Sequence, residues 1–329
     1  MLKIGTPPND AVITIVSSRI PVSAVYELGG IIAEGGSAEV RRSRPKKETH
    51  TDNTPDDSMT DDSMTDVAVK QMKLFFVGKT ETAAAFANEA HVLKRFHHTN
   101  IVRVFAAFID TAPSVVMEFV DGGNLTSAVS EGATKGREPA IFRQLLLAVA
   151  HIHEHRVVHH DIKPDNVLLD RKGVVKLADF GLARCLRDVG PRTVPLGTLW
   201  FTAPELLTIG QPGYGTPVDL WACGLVLRFL SVTHTLTLRV LPSRDGLPGG
   251  DEADATLAPS LQDLLRGLLR PDPADRMTAA QALQCDWLRA PRVSTPDHGD
   301  AKPRPRQAPS PQRRREAVSG AARLTPAFH

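Results

Sequence analysis

HHDIKPDNVLLD (His159–Asp170) and ADFGLA (Ala178–Ala183) carry the densest chemistry in this chain. Between them they offer Asp161, Lys163, Asn166 and Asp179. Two aspartates and an asparagine are hard oxygen donors, suited to Mg²⁺ carrying a polyphosphate. Lys163 adds a mobile positive charge, which a transferring phosphoryl group requires. Asp161 remains as a free carboxylate able to accept a hydroxyl proton. Read singly, the two segments are polar turns after strands, and Asp-x-Lys and Asp-Phe-Gly each occur by chance. Here they come in order, with 18 residues from Asp161 to Asp179, behind the apolar helix AIFRQLLLAVAHIHEH (Ala140–His155). Chance is a poor account of that arrangement.

The surrounding text supplies the frame. VAVKQMKLFFV (Val67–Val77) reads as a strand. AAAFANEAHVLKRF (Ala83–Phe96) has a helical period, with Phe86, Ala90, Leu93 and Phe96 along one side. IVRVFAAFI, SVVMEFV and VVKLADF (Val174–Phe180) are further strands. PVDLWACGLVLRFLSV (Pro217–Val232) is apolar all round and reads as a central core helix. SLQDLLRGLL and TAAQALQCDWL are later helices. Strands fill the first third and helices the remainder, which points to an α+β chain of two lobes.

With these motifs in this order, the chain resembles the eukaryotic-type protein kinases, serine/threonine branch, over Tyr26 to Leu288. The resemblance implies a bilobal protein-kinase-like fold: a small β-rich N-lobe with one main helix, and a larger α-helical C-lobe. In VAVK, Lys70 matches the lysine that grips the α- and β-phosphates, and Glu89 matches its helix-borne partner. Asp161 matches the catalytic aspartate, and Asn166 and Asp179 match the magnesium ligands. Lys163 and Thr198 match the pair that in this branch lies around the catalytic aspartate. Glu205 in TAPE matches the glutamate that pairs with an arginine, here Arg276, and Asp219 matches the aspartate that anchors the catalytic loop. Met117 stands at the gatekeeper position. Glu118 and Val120 would meet the adenine edge through their backbones, and Val40, Ala68 and Leu168 would sandwich the ring. Taken singly, each of these is an ordinary surface charge or core residue; their joint order is what carries the reading.

The chain also departs from that pattern. The phosphate-covering motif G-x-G-x-x-G-x-V falls on Ala33 to Val40, where only Gly35 is kept and Gly36 is added. An extra methyl where backbone should approach phosphate implies weaker nucleotide binding. His160 replaces the arginine that receives an activating phosphate in many relatives, and the usual phosphosite falls on Val194, with Thr193 beside it. Asn124 stands where many relatives carry an acidic residue. Leu199-Trp200-Phe201 is a bulky apolar run. Between Val232 and Ser260 the text is short and rich in Pro, Gly and Asp, so family docking rules do not carry over.

Composition bounds the rest. With 329 residues, 42% of them hydrophobic and 23% charged, the chain can bury a large core and is not wholly disordered. No apolar stretch reaches the roughly 18 residues a membrane helix needs. Pro7, Pro8, Asn9 and Asp10 interrupt any signal-peptide core. Cys185, Cys223 and Cys285 are scattered without metal spacing, which fits reduced thiols in an intracellular protein, cytoplasmic or nuclear. Net charge is +2, but the segment from Pro291 to His329 carries +5 and the rest −3. No fold-wide nucleic-acid footprint follows; any such contact would be weak and through the basic tail.

The expected organisation is a leader at 1–25, an N-lobe at 26–120, a C-lobe at 121–290 and a disordered Pro/Arg-rich tail at 291–329. RRSRPKKETHTDNTPDDSMTDDSMTD (41–66) repeats DDSMT in tandem and has almost no large apolar residue, so it reads as a disordered insertion in a hairpin loop. AVITIV (Ala11–Val16) reads as an edge strand. The resulting expectation is a serine/threonine protein kinase that uses ATP and Mg²⁺ on protein Ser/Thr hydroxyls without activation-loop phosphorylation. A regulatory protein partner is the other means of switching it. Its rivals are a pseudokinase scaffold, favoured by the eroded glycine loop and His160, and a small-molecule phosphotransferase, which generally lacks the Ala203-Pro204-Glu205 segment.

Overall fold

The computed structural model describes residues 14–16, 20–46, 65–73, 89–90, 92–108, 112–186, 198–207, 215–232 and 256–289. Its first part is a six-stranded sheet built from β1 (Thr14–Val16), β2 (Tyr26–Glu34), β3 (Ala38–Pro45), β4 (Val67–Met72), β5 (Val104–Phe108) and β6 (Ser114–Glu118). The spatial order is β1-β5-β6-β4-β3-β2. Among the described strands of this sheet only β1 runs parallel to its neighbour, pairing Thr14 with Ala106; the other contacts are antiparallel. The edge strand expected from AVITIV is therefore present, at the far side of β5.

The pleat divides each strand between two apolar layers. Val67 and Val69 of β4 join Ala106, Phe108 and Val116 on one face. That face is covered by α1 (Val22–Val25), with Val22 buried and Tyr26 edge-on to Phe108 at 6.2 Å. Part of the leader is thus packed structure. Ala68 and Met72 join Ala38, Ala107, Val115 and Met117 on the other face, which belongs to the main core. Alternation alone puts Lys70 on this second face with Ala68.

Strand β3 corrects the boundary of the insertion. Arg41 to Pro45 belong to the strand, with Arg41, Arg42 and Ser43 opposite Val69, Ala68 and Val67. Asp66 takes Arg42 and Arg44 (Nε 2.7 Å), tying the end of the excursion back onto β3. Arg41, Arg42 and Arg44, read as part of a disordered run, are positions of a paired strand. Residues 47–64 lie outside the described residues.

The helical part contains α2 (Leu125–Ser130), α3 (Glu138–Glu154), α4 (Pro217–Ser231), α5 (Pro259–Leu268), α6 (Ala279–Ala282) and α7 (Asp286–Arg289). Pro lies in the first turn of α3, α4 and α5, where its missing N–H costs nothing. Helix α4 is the central helix that its composition predicts: Leu220, Trp221, Cys223, Val226 and Leu227 are buried. Each fully buried large apolar side chain there contributes roughly 1.5–3 kcal/mol. TAAQALQCDWL differs from expectation. A capping box between Thr278 and Gln281 starts α6, but the helix stops at Ala282 and α7 begins at Asp286. The small pairs β7 (Val157–Val158) with β10 (Arg184–Cys185), and β8 (Val167–Leu169) with β9 (Val175–Leu177), hold the loops between them. No helix among the described residues is long and apolar enough to cross a membrane. The 233–255 stretch and the tail beyond residue 290 lie outside the described residues.

Candidate active site

The site is built where loops leave β7, β8 and β9 below the second face of the sheet. Lys70 reaches from β4 to two carboxylates: Nζ lies 2.7 Å from Glu89 Oε2 and 2.8 Å from Asp179 Oδ1. Glu89 is buried and helical, as are the neighbouring described residues 90, 92 and 93. Burial alone would pull the Lys70 ammonium down, but the two carboxylates hold its pKa above the ordinary value. Burial pushes the Glu89 carboxyl up, although Lys70 opposes it. Burial would also raise Asp179; the Lys70 charge outweighs it and keeps that carboxyl below its usual range. Lys70 therefore remains a cation and Asp179 an anion. The Asp179 side chain is still 44% exposed, so its carboxylate can meet an incoming ligand.

Asp179 caps a short 3₁₀ turn (Phe180–Leu182) from the left-handed region, at φ 61°. His160 also has positive φ, at 69°. Left-handed backbone is costly for residues other than Gly and persists only where the surroundings over-determine it. For His160 the surroundings are visible: Asp219 Oδ1 accepts its amide at 3.0 Å, and Asp219 Oδ2 accepts that of His159 at 2.8 Å. His153 Nε2 donates to the same oxygen at 2.9 Å. Burial would raise the Asp219 carboxyl, but the His153 bond and nearby imidazoles hold it low. One buried carboxylate on α4 thus sets the backbone before Asp161.

Asp161 has four donors on its carboxylate. Thr198 gives its amide and hydroxyl to Oδ1 at 3.1 and 2.9 Å. Lys163 Nζ and Asn166 Nδ2 reach Oδ2 at 2.8 and 2.9 Å. Lys163 also donates to Thr198 Oγ1 at 2.8 Å, closing a ring of three side chains. Four donors fill the lone-pair directions of a carboxylate. A substrate hydroxyl must therefore displace one, and Lys163 is the donor on a flexible stem. Asn166 gives its amide hydrogens to Asp161, including its carbonyl oxygen at 2.7 Å, which leaves Asn166 Oδ1 as the group for a cation.

His159 is a participant that sequence reasoning missed. Its Nδ1 accepts the Asp161 amide at 3.2 Å, so its Nε2–H donates to the Ala178 carbonyl at 3.1 Å. Burial lowers its pKa, and the neutral ring ties the Asp161 loop to the Asp179 turn. It also lies edge-on to Phe180 at 4.5 Å. The signal in the sequence was the doublet His159-His160, of which only the second member was read. His153 was missed as well, hidden in an apolar helix.

Val40, Ala68, Met117, Val120 and Leu168 share the main apolar cluster, with Ala68 opposite Met117 and Val40 opposite Lys70 across the strands. The Glu118 carboxylate is engaged by Lys176 Nζ and the Arg103 amide, both at 2.8 Å, so Glu118 has only backbone to offer a ligand. Asn124 is occupied too: its side chain accepts from Ser127 N and caps α2. Gly35 and Gly36 are exposed at the tip of the β2–β3 hairpin. A Cβ on Gly36 would meet nothing within 4 Å, and one on Gly35 only Ala38 O at 3.6 Å. Packing does not require either glycine, whereas close approach of a ligand to backbone would. Thr193 and Val194 lie outside the described residues.

The donor set fits a nucleotide with a divalent cation. Asp179 and Asn166 offer one carboxylate and one amide oxygen, the sparse set that Mg²⁺ takes when substrate phosphates complete its shell. Among the described residues no group of three or more His, Cys, Asp and Glu could hold a metal by itself.

Comparisons with known proteins agree with this geometry. The protein kinase domain family matches residues 57–288. A serine/threonine-protein kinase PAK mbt of Drosophila melanogaster is 33% identical over 68% of the chain and 36% of its own length. CBL-interacting protein kinase 25 of Oryza sativa subsp. japonica is 33% identical over 80% of the chain and 51% of its own length. Serine/threonine-protein kinase pak-2 of Caenorhabditis elegans is 42% identical over 49% of the chain and 30% of its own length. The chain thus spans between about a fifth and just over a half of the length of the curated relatives it matches.

Proposed function

The chain belongs to the protein kinase family, and from that premise we propose that it is a serine/threonine kinase. It moves the γ-phosphoryl group of Mg·ATP to protein Ser/Thr hydroxyls. The carrying observation is the join between the sheet and the two loops: Lys70 at 2.8 Å from Asp179, and Asp161 within a ring of Lys163, Asn166 and Thr198. Dead relatives commonly lack one or more of these groups, which weighs against a scaffold lacking activity. The Glu205–Arg276 pair, at 2.6 Å, weighs against a small-molecule phosphotransferase.

In this reading Asp179 and Asn166 would hold a magnesium ion, which would supply positive charge against that building on the phosphoryl oxygens. Lys70 holds the phosphates of the nucleotide, and Glu89 fixes Lys70. Val40, Ala68, Met117, Val120 and Leu168 enclose the adenine, with Glu118 and Val120 meeting its edge. Gly35 and Gly36 let the hairpin close over the phosphates. Asp161 orients the substrate hydroxyl and takes its proton. Lys163 leaves Asp161 Oδ2 to meet the transferring group, and Thr198 keeps Asp161 in place when it does. The three free cysteines support an intracellular enzyme, cytoplasmic or nuclear. A protein partner is the switch that remains if no phosphate is used.

The test is γ-phosphate transfer with Mg·ATP to a panel of generic proteins. Asp161→Asn and Asp179→Asn are each expected to reduce transfer at least about 10³-fold, the scale on which catalytic electrostatics act. Circular dichroism should show both folded. Undiminished turnover in folded Asp179→Asn would overturn the assignment.

A further inference from the structure

Behind the active site three imidazoles meet. His98 follows the helical residues 92 and 93, His151 lies in the last turn of α3, and His155, one turn on, is the C-cap of that helix. The rings of His98 and His151 stack at 4.9 Å, and those of His151 and His155 lie 4.5 Å apart. Phe96 stands edge-on to His151 and His155 at 5.7 and 5.5 Å, and it also packs against Phe180 at 5.9 Å. Phe180 is the residue after Asp179. The three rings therefore back the aromatic contact that supports the Asp179 turn.

His98 and His151 are set for the neutral state. His98 Nδ1 accepts the Asn100 amide at 3.1 Å, so a proton added there meets a donor. His155 Nδ1–H donates to the His151 carbonyl at 2.8 Å. His151 Nε2 is sealed from solvent and has no hydrogen-bond partner, so a charged His151 would bury an unmet donor. The charges around the stack are largely of the wrong sign to welcome protons. Arg95 donates to the His155 carbonyl at 3.2 Å and to Cys185 Sγ at 2.8 Å. Lys176 acts on His98 from β9, and Glu154 on α3 is the carboxylate that opposes it.

We propose that the His98–His151–His155 stack is an acid-sensitive latch: neutral, it holds Phe96 against Phe180; protonated, its rings repel and the Asp179 turn loosens. The part of this that concerns activity rests on the kinase reading. Burial first, and then neighbouring positive charge, keeps His98 and His151 below the ordinary imidazole pKa. A base whose folded pKa is depressed stabilises the fold fully above its unfolded pKa, about 6.5 here, and loses that stability as pH falls below it. The switch therefore opens on acidification, in the range where imidazoles sense pH.

The experiment follows the full chain from pH 7.5 to 5.5, comparing wild type with His151→Phe and, in case Phe does not fit, His151→Gln. Wild type should lose about fivefold more kcat/KM over this range than either variant, and its urea midpoint should fall more steeply. Parallel profiles and parallel midpoints in wild type and variants would overturn the latch. So would a wild-type urea midpoint that does not move between pH 7.5 and 5.5, which needs no variant. If wild type transfers no phosphate at any pH, the kinase reading fails, while the urea midpoints still decide the latch.

Discussion

Arg276 shows how much one side chain can fix. Its Nε donates to the Arg270 carbonyl at 3.0 Å, Nη1 to Glu205 and the Pro217 carbonyl, and Nη2 to Glu205 and the Pro271 carbonyl. All five N–H groups of a fully buried guanidinium are thus satisfied, and the group lies 5.2 Å from the Trp221 ring. A lysine has three donors and no planar fork. Arg276→Lys should therefore destabilise by about 3–5 kcal/mol, read as a lower urea midpoint, because Glu205 would be left poorly paired. Arg156 offers the opposite sign. It follows the last turn of α3 at φ 59°, the position that favours glycine. Its side chain is exposed. Arg156→Gly should raise stability by about 1 kcal/mol in the same measurement, since it removes left-handed strain and little contact. Residues such as Lys70, Asp161 and Asn166 were legible in the sequence because chemistry demands their type and spacing. His153 and His159 were not, because their work is to hold a carboxylate and a carbonyl that only the fold brings near.

At the scale of elements, legibility followed the strength of the period. Helices α3 and α4 were readable from long apolar runs, and β4 from VAVK. The second face of the sheet was also implicit there, since alternation places Ala68 and Lys70 together. TAAQALQCDWL failed because its apolar spacing continues through Leu283 to Cys285 while the backbone breaks between α6 and α7. The hairpin failed at its boundary because charge composition masked strand pairing: Arg41, Arg42 and Arg44 are polar by sequence yet lie in β3. The same finding sharpens a prediction. Replacing residues 47–64 with a short Gly-Asn turn should keep activity within about threefold, because loop length is entropically cheap and Arg42, Arg44 and Asp66 remain to clamp the hairpin. Removing 41–66 entirely should instead abolish folding, as β3 would lose three of its six pairs with β4 together with the connection that lets the two strands turn back on each other. A phosphotransfer assay beside a thermal melt separates the two outcomes. A folded, active chain lacking 41–66 would refute the assignment of these residues to the sheet.

For the whole molecule the question is what holds the working conformation. An arginine before the catalytic aspartate would be a fixed charge that needs a phosphate to offset it. This chain has His160 there, so the permanent charge of a guanidinium is missing from that position. The backbone at that position is instead secured from below: Asp219 on α4 takes the amides of His159 and His160 together with the His153 ring. His159 then passes that order to the Ala178 carbonyl, and Thr198 and Lys163 complete the ring on Asp161. None of these bonds needs a phosphate. Protein made without upstream kinases and then treated with phosphatase should keep its activity within about twofold, since the described bonds on Asp161 and Asp219 are all made between protein groups. A fall of tenfold or more on phosphatase treatment, or on Thr193→Ala, would show that Thr193 is phosphorylated and needed. Asp219→Ala should behave differently from either. It leaves three buried donors without an acceptor, each worth about 1–3 kcal/mol, so it should lower both stability and turnover whatever the phosphorylation state. Insensitivity to phosphatase together with sensitivity to Asp219→Ala is the pattern expected of a loop ordered by the core of its own fold.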